Sequence, residues 1–215
     1  MHFFKLNQRQ FIGSGFYQII HDCYSDDIFE RNIEKAKNEY NQLLGFVPEV
    51  WLANEMVFSR RLLRLYAKNG IVKLIVDKRS LPTVYHVYSE LLINDLDLTL
   101  VLADSLNWQL IQDVTSGSPK IEHLTLKRSF KSHEFIYSGD AEHFGINLGR
   151  FDHEIPQFRE NRLDLLVGFL EKIVIEYEPA RTERIILDDL AKAIYVKKQI
   201  KYNISRWLIG GKYDN

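Results

Sequence analysis

Residues 133–154, HEFIYSGDAEHFGINLGRFDHE, carry three of the seven histidines of this 215-residue chain, each with a carboxylate beside it. Neutral imidazole and carboxylate groups are good ligands for zinc and other transition metal ions, so a metal site is the first chemistry to consider. The alternative is a β-hairpin that turns at Gly139-Asp140 and carries polar residues on its solvent side and at its ends. We favour the hairpin, which predicts no metal.

The register of this hairpin decides whether its histidines can converge. A two-residue turn pairs Ile136 with His143 and places His133 and His143 on opposite faces, because strand side chains alternate. A three-residue turn shifts the register by one residue and brings both histidines to one face. The sequence leaves both registers open.

A second set of polar residues follows the predicted strands. In open parallel sheets, ligands bind beyond the carboxyl ends of the strands. A phosphate or a polar small molecule could bind there, although loops are commonly polar without binding anything. The candidates are Asn54, Glu55, Asp77, Lys78, Arg79, Asp104, Ser105, Lys127 and Arg128.

Two features near the N-terminus could be mistaken for sites. The stretch FIGSGF, residues 11–16, lacks the glycine pattern and the flanks of a nucleotide-binding fingerprint, so it predicts a turn. His21 is predicted to be a packed or surface residue and not a ligand.

The predicted C-terminal helix interleaves basic and aromatic residues. This pattern suits a nucleic-acid backbone with stacked bases, or a membrane surface. It equally suits a helix whose apolar stripe packs on the core or on a second copy, with its lysines pointing outwards. We expect packing or dimerisation, with a protein partner or nucleic acid as alternatives. The candidate contact residues are Lys197, Lys198, Lys201, Arg206 and Trp207.

The elements that must position these residues alternate along the chain. Ser25 is expected to cap a helix whose first turn holds Asp26 and Asp27 and which ends at Gly45. Strands are predicted over 49–55, 71–77, 96–104 and 121–128, and helices over 56–70, 82–94 and 105–114. Three consecutive strand–helix–strand units require crossovers, which predict a parallel sheet with helices on both faces.

The second half of the chain is predicted to extend this architecture. An antiparallel hairpin over residues 133–149 makes the sheet mixed, and an amphipathic helix follows over 159–178. A long helix then opens near Thr182. We therefore expect an α/β domain over residues 1–178, including an N-terminal helix, and a C-terminal helical extension over 179–215 that packs on the domain or on a partner.

Composition limits the classes of partner. Lys and Arg total 28 against 29 Asp and Glu, a net charge of -1, so a nucleic-acid or anionic-membrane partner would need a local patch. The single cysteine excludes an intrachain disulfide and a cysteine-cluster metal site. No signal peptide and no membrane-spanning apolar run is recognisable. We expect a soluble, cytoplasmic protein without a cofactor.

The order of these elements resembles one half of the phospholipase D superfamily. The signature of that family is His, any residue, Lys, four residues, Asp, followed by Gly-Ser and Asn. His133 and Asp140 have this spacing, and Gly145 and Asn147 lie near the later positions. Phe135 stands where the family has its lysine.

The resemblance covers about residues 28–176 and implies a catalytically degenerate member, because the missing lysine would stabilise charge in phosphoryl transfer. It implies a non-enzymatic interaction or ligand-binding module that pairs with a protein partner or as a homodimer. One rival is a phosphodiesterase or nuclease in which His133 attacks phosphorus, with a cation from Lys127, Arg128 or Lys131. The other is nucleic-acid binding through the C-terminal helix.

Overall fold

Most of the described chain is organised around one six-stranded sheet. The computed structural model describes residues 11–56, 58–104, 129–131, 164, 167–168, 171, 174–176 and 179–192. The strands are β1 (Ile12–Gly13), β2 (Val50–Leu52), β3 (Lys73–Asp77), β4 (Glu90–Ile93), β5 (Leu98–Ala103), β6 (Ser129–Lys131), β7 (Val174–Glu176) and β8 (Thr182–Ile185). The α-helices are α1 (Asp26–Leu44), α2 (Arg60–Lys68) and α3 (Leu187–Lys192).

Four neighbouring strands of this sheet are parallel. The strand order is β1-β2-β3-β5-β4-β8, and only β4 and β8 run opposite to the other four. Parallel neighbours need a connection that crosses back over the sheet, and α1 and α2 supply it between β1 and β2 and between β2 and β3. The predicted α/β class with a mixed, mainly parallel sheet is confirmed.

Helix α1 begins and ends where the sequence predicts, but its N-terminal serine bonds differently. The Ser25 hydroxyl donates to the Asp27 carboxylate and makes no capping hydrogen bond to the helix backbone. At the other end Gly45 has a φ of 80°, a left-handed conformation that glycine adopts without a steric penalty. The inner face of α1 buries Phe29, Asn32, Ile33 and Ala36.

Helix α2 is capped by Ser59, whose hydroxyl oxygen accepts a hydrogen bond from the Leu62 N–H at 3.2 Å. The bond satisfies one of the backbone donors that have no partner within the first turn of a helix. The buried residues of α2 are Leu62, Leu63, Leu65 and Tyr66.

The helix predicted over residues 82–94 is wrong. A 3-10 turn forms at Thr83–Tyr85, and Glu90–Ile93 is β4, which pairs antiparallel with β5. Leu91 and Ile93 are buried between less buried neighbours, a period of two that fits a strand. Because β4 runs against β5, the chain crosses back within the sheet and needs no helix at this point.

The helix predicted to open near Thr182 begins later. Residues 182–185 are β8, parallel to β4, and α3 starts only at Leu187, whose N–H donates to Asp95 Oδ1 at 2.8 Å. Only Ile185 of this strand is buried, so its exposed residues face solvent at the sheet edge. The rest of the predicted apolar stripe, from Ala193 to Trp207, lies outside the described residues.

The chain divides into two compact units, Met1–Ala103 with Arg181–Asn215, and Asp104–Ala180. In the second unit β6 pairs in parallel with β7. Within the helix predicted over 159–178, residues 164, 167 and 168 are helical, as predicted. Strand β7 occupies residues near the end of this segment, so the prediction is wrong there, and the β-branched Val174 and Ile175 favour the strand. The predicted helix 105–114, strand 121–128 and hairpin 133–149 lie outside the described residues. The predicted division near residue 178 stays a prediction.

The core of the first unit joins the sheet to α1 and α2. Trp51 in β2 is 1% exposed; its indole N–H donates to the Pro48 carbonyl at 2.8 Å, and its ring meets Tyr40 edge to face. The largest fully buried side chains around it are Phe29, Ile33, Leu62, Leu63, Tyr66, Ile71, Leu74, Ile75, Leu91 and Ile93. Within the described ranges, the helices are too short or too polar to cross a membrane.

Candidate functional site

The carboxyl ends of β1, β2 and β3 lie side by side. Gly13 pairs with Trp51, and Leu52 pairs with Ile75, so the segments that leave these strands share one edge of the sheet. We call the three segments, residues 14–20, 54–56 and 77–80, the carboxyl edge. Ligands of open parallel sheets bind at this kind of edge. The edge contains Asn54, Glu55, Asp77, Lys78 and Arg79 of the predicted set.

Asn54 fastens the loop after β1 to the end of β2. Its side chain is buried; Oδ1 accepts from the Gly15 N–H at 3.3 Å, and Nδ2 donates to the carbonyls of Tyr17 at 2.9 Å and Ile19 at 3.2 Å. Both N–H groups of the Asn54 side-chain amide therefore donate to backbone carbonyls. In this arrangement Asn54 positions the loop that borders the carboxyl edge.

Glu55 is presented to solvent by a strained turn. Its φ is 55° and that of Met56 is 53°, and both lie in the left-handed region. For residues other than glycine this conformation costs about 1–2 kcal/mol. Strain of this kind persists where the surroundings enforce it, and it concentrates at functional sites. The Met56 N–H donates to the Ala53 carbonyl at 2.7 Å and closes the turn.

Asp77 orients Arg79. The Asp77 side chain is 4% exposed. Its Oδ1 accepts from the Arg79 backbone N–H at 3.0 Å, and its Oδ2 lies 3.0 Å from Nε and 2.9 Å from Nη2 of the Arg79 guanidinium. The guanidinium is 36% exposed and carries five N–H donors, so it keeps donors for a ligand. Beside it, the buried Ser80 hydroxyl has no hydrogen-bond partner among the described residues.

A buried histidine lies next to this edge. His21, in the 3-10 turn His21–Cys23, is 2% exposed, so of the two predicted alternatives, packed or surface, it is packed. Asn32 Nδ2 lies 2.6 Å from its Nε2, and the Tyr66 hydroxyl lies 3.1 Å from its Nδ1. Asn32 Oδ1 accepts from the Tyr17 N–H at 2.7 Å, which fixes the amide orientation and makes Nδ2 the donor towards His21. His21 Nε2 is consequently the acceptor, and Nδ1 carries the proton.

The environment keeps this network uncharged. Burial lowers the pKa of His21 from 6.5 to about 4. Burial likewise raises the pKa of Tyr66 far above its usual value of 10, against a smaller opposing effect of its hydrogen bond with the Asn54 backbone. A general base needs a pKa near the working pH, so His21 and Tyr66 form a neutral scaffold and not an acid–base pair.

Gly15 makes the network possible. A Cβ at this position would lie 2.5 Å from Asn32 Nδ2 and 2.9 Å from both Cε1 and Nε2 of His21, closer than real Cβ contacts. Gly15, the second glycine of FIGSGF, was a sequence signal for such a close approach, although the sequence alone predicted only a turn. The sequence carried no comparable signal for Asn32 or Tyr66, which tertiary packing brings to His21.

Of the other predicted ligand-binding residues, Asp104 is the one that the structure describes. It follows Ala103, the residue of β5 that pairs with Asp77, is half-buried and begins the second compact unit. Lys127, Arg128, His133, Asn147, Lys197, Lys198, Lys201, Arg206 and Trp207 lie outside the described residues. Among the residues that the structure describes, no three His, Cys, Asp or Glu side chains cluster closely enough to hold a metal ion.

Comparison with known proteins identifies a different family from the phospholipase D superfamily, which the order of elements along the chain resembles. The model of glycosyl hydrolase family 57 matches residues 4–112, about half of the chain. A comparison with curated proteins gave no match. The α-amylase AmyC from Thermotoga maritima is similar in structure, with a TM-score of 0.46, 14% identity, and coverage of 54% of this chain and 25% of that one.

A second solved structure is the 4-α-glucanotransferase from Thermococcus litoralis. It has a TM-score of 0.49 and 17% identity, and the similarity covers 80% of this chain and 27% of that one. The chain thus spans about a quarter of the length of each of these two proteins.

The phospholipase D-like resemblance is therefore wrong, because the family match covers much of the region on which it rested. The functions drawn from the sequence fall with it: the degenerate, non-enzymatic interaction module, the phosphodiesterase using His133, and the nucleic-acid-binding protein. The alternation of strands and helices is shared by many unrelated α/β proteins, and the His133–Asp140 spacing alone was too short a motif to identify one.

Proposed function

Because this chain belongs to glycosyl hydrolase family 57, we propose that it is a carbohydrate-active domain that binds glycosides at the carboxyl edge. The observation that carries the proposal is the extent of the family match. Residues 4–112 contain β1, β2, β3 and β5, the four parallel strands. The part of the chain shared with the family is thus the part that builds this edge.

The side chains of the edge suit the recognition of sugar hydroxyls. Glu55 is exposed and carries a carboxylate that accepts hydrogen bonds, and Arg79 carries planar N–H donors held in place by Asp77. Neighbouring hydroxyls of a sugar both donate and accept, so a carboxylate and a guanidinium on adjacent strand ends can bind them together. We assign ligand contact to Glu55 and Arg79 and a positioning role to Asp77.

Hydrolysis of a glycosidic bond adds a stricter requirement. The reaction uses two carboxyl groups, about 5–5.5 Å apart in retaining enzymes and about 6.5–9.5 Å apart in inverting enzymes. The Asp77 side chain is 4% exposed, whereas the Glu55 side chain is exposed and can be reached by a ligand. Glu55 is therefore the carboxylate to test first in turnover.

The experiment compares the two ends of the same strands. Binding of maltotetraose, cellotetraose, mannotetraose and chitotetraose is measured by calorimetry, and turnover by release of reducing ends. Glu55→Gln and Arg79→Gln change the carboxyl ends of β2 and β3. Glu49→Gln and Lys73→Gln make matched charge changes at exposed residues at the amino ends of the same strands.

We expect at least one tetrasaccharide to bind, and each carboxyl-end variant to weaken that binding about tenfold or more, because a hydrogen bond to a charged group contributes about 1.5–3 kcal/mol. The amino-end variants should bind like the wild type. The proposal fails if none of the saccharides binds, or if the variants at the two ends lose affinity equally.

A further inference from the structure

The loop after β1 exposes two adjacent aromatic rings at the carboxyl edge. Phe16 is 40% exposed and Tyr17 is 54% exposed, and their ring centroids lie 4.8 Å apart at 83°. Lys35, from α1, places its ammonium 4.0 Å from the Phe16 centroid and 5.0 Å from the Tyr17 centroid, and donates to the Tyr17 hydroxyl at 3.1 Å. We call these two rings the aromatic platform.

The backbone beneath the aromatic platform is held from two directions. From α1, the Asn32 side chain accepts from the Tyr17 N–H at 2.7 Å and donates to the Tyr17 carbonyl at 3.2 Å. The backbone carbonyl of Asn32 accepts from the Phe16 N–H at 3.4 Å. From the end of β2, Asn54 donates to the same Tyr17 carbonyl at 2.9 Å. Single exposed apolar residues need no explanation, but two adjacent rings held by buried amides form a preorganised surface.

The loop that carries the platform is joined by a hydrogen bond to the candidate glycoside site. Asn54, which holds the Tyr17 carbonyl, is followed directly by the strained Glu55. A ligand that hydrogen-bonds at Glu55 and extends towards β1 would therefore approach the loop that carries the two rings.

We propose that the aromatic platform is a sugar-stacking subsite, in which one sugar ring of a bound oligosaccharide stacks on Tyr17, the more exposed of the two aromatic rings, with Phe16 beside it. The inference rests on the proposed function and adds to it the residues that select extended over short ligands. A pyranose has an apolar face of C–H groups and a rim of hydroxyls. An aromatic ring covers the apolar face, while the Lys35 ammonium can bond to the rim.

The test measures Phe16→Ala and Tyr17→Ala with the tetrasaccharide that the wild type binds and with the corresponding disaccharide. Loss of an aromatic contact should weaken tetrasaccharide binding about 3- to 10-fold. The disaccharide should lose less, because it need not reach the platform. Tyr17→Phe keeps the ring and should stay within about twofold of the wild type.

Phe46→Ala is the matched control. Phe46 also belongs to an edge-to-face pair, with Phe11 at 5.6 Å, but it follows α1 and lies near the amino end of β1. Its removal should leave saccharide affinity unchanged. Thermal unfolding of each variant verifies that it is folded.

The outcomes separate this inference from the proposed function. If Glu55→Gln weakens binding and neither platform variant does, the subsite is wrong and the proposed function stands. If the wild type binds no saccharide, both are wrong. If the platform variants change self-association in sedimentation and not saccharide affinity, the rings contact a second copy of the chain and the subsite is likewise overturned.

Discussion

Lowering the pH from 7 to 4.5 should destabilise the chain through His21. The ring is buried, and its Nε2 accepts from an Asn32 N–H whose direction is fixed by the bonds between Asn32 and Tyr17. A proton on Nε2 would face another donor and would place a positive charge out of contact with water. The folded state therefore resists protonation, whereas the unfolded chain takes up the proton freely.

The magnitude follows from the two pKa values. Burial lowers the pKa of His21 from 6.5 to about 4 in the folded state. Because the unfolded chain binds the proton first as the pH falls, the stability is complete above about pH 6.5 and is lost between that pH and about 4. At about 1.36 kcal/mol per pKa unit the complete loss is about 3 kcal/mol, of which about 2.5 kcal/mol has gone by pH 4.5.

The assay is urea unfolding of the wild type and of His21→Gln at a series of pH values from 7 to 4.5. Glutamine does not titrate in this range, and subtracting the two curves removes the contributions of the groups that both proteins share. The wild type should lose about 2.5 kcal/mol more than the variant between these limits, whatever their difference at pH 7. Parallel pH profiles for the two proteins would refute the assignment of His21 as a neutral, buried acceptor.

Four further variants, two of them controls, test the local structure. Gly15→Ala should destabilise the chain by about 1–3 kcal/mol because the added Cβ would collide with His21 and Asn32. Gly168→Ala is the control and should cost no stability, because its Cβ would meet no described atom within 4 Å. Equal losses of unfolding free energy in the two variants would contradict the crowding at Gly15. Ser59→Ala should lose about 1 kcal/mol of unfolding free energy because its hydroxyl caps α2. Ser25→Ala should lose clearly less, since Ser25 makes no such bond to α1, and a larger loss there would reverse the assignment of the caps.

Local patterns predicted the first half of the fold well. Asp26 and Asp27 in a first turn, an apolar face and a closing Gly45 lie within twenty residues, so the signals for α1 can be read without knowing any partner. Strand β3 was equally readable as a short, buried apolar run before Asp77. The polar residues at the strand ends were also found this way, because parallel strands imply a common edge.

The segment 82–94 shows where local patterns fail. A proline at Pro82 and apolar residues up to Ile93 are compatible with a helix start and with a strand that begins later. Pairing of β4 with β5 on one side and β8 on the other decided between them. Strand β8 comes from residues 182–185, about 90 positions away along the chain, so no local window of sequence contained this second pairing.

Periodicity, capping and strand ends are local properties, and they were enough to predict the α/β class, the two crossover helices and the candidates Glu55, Asp77 and Arg79. How that edge is built depends on contacts between distant parts of the chain. His21 meets Tyr66 from 45 positions away and Asn54 holds Tyr17 from 37 positions away. Such pairings arise because burial forces polar groups to find partners wherever the packed chain supplies them, and that choice is made by the whole fold.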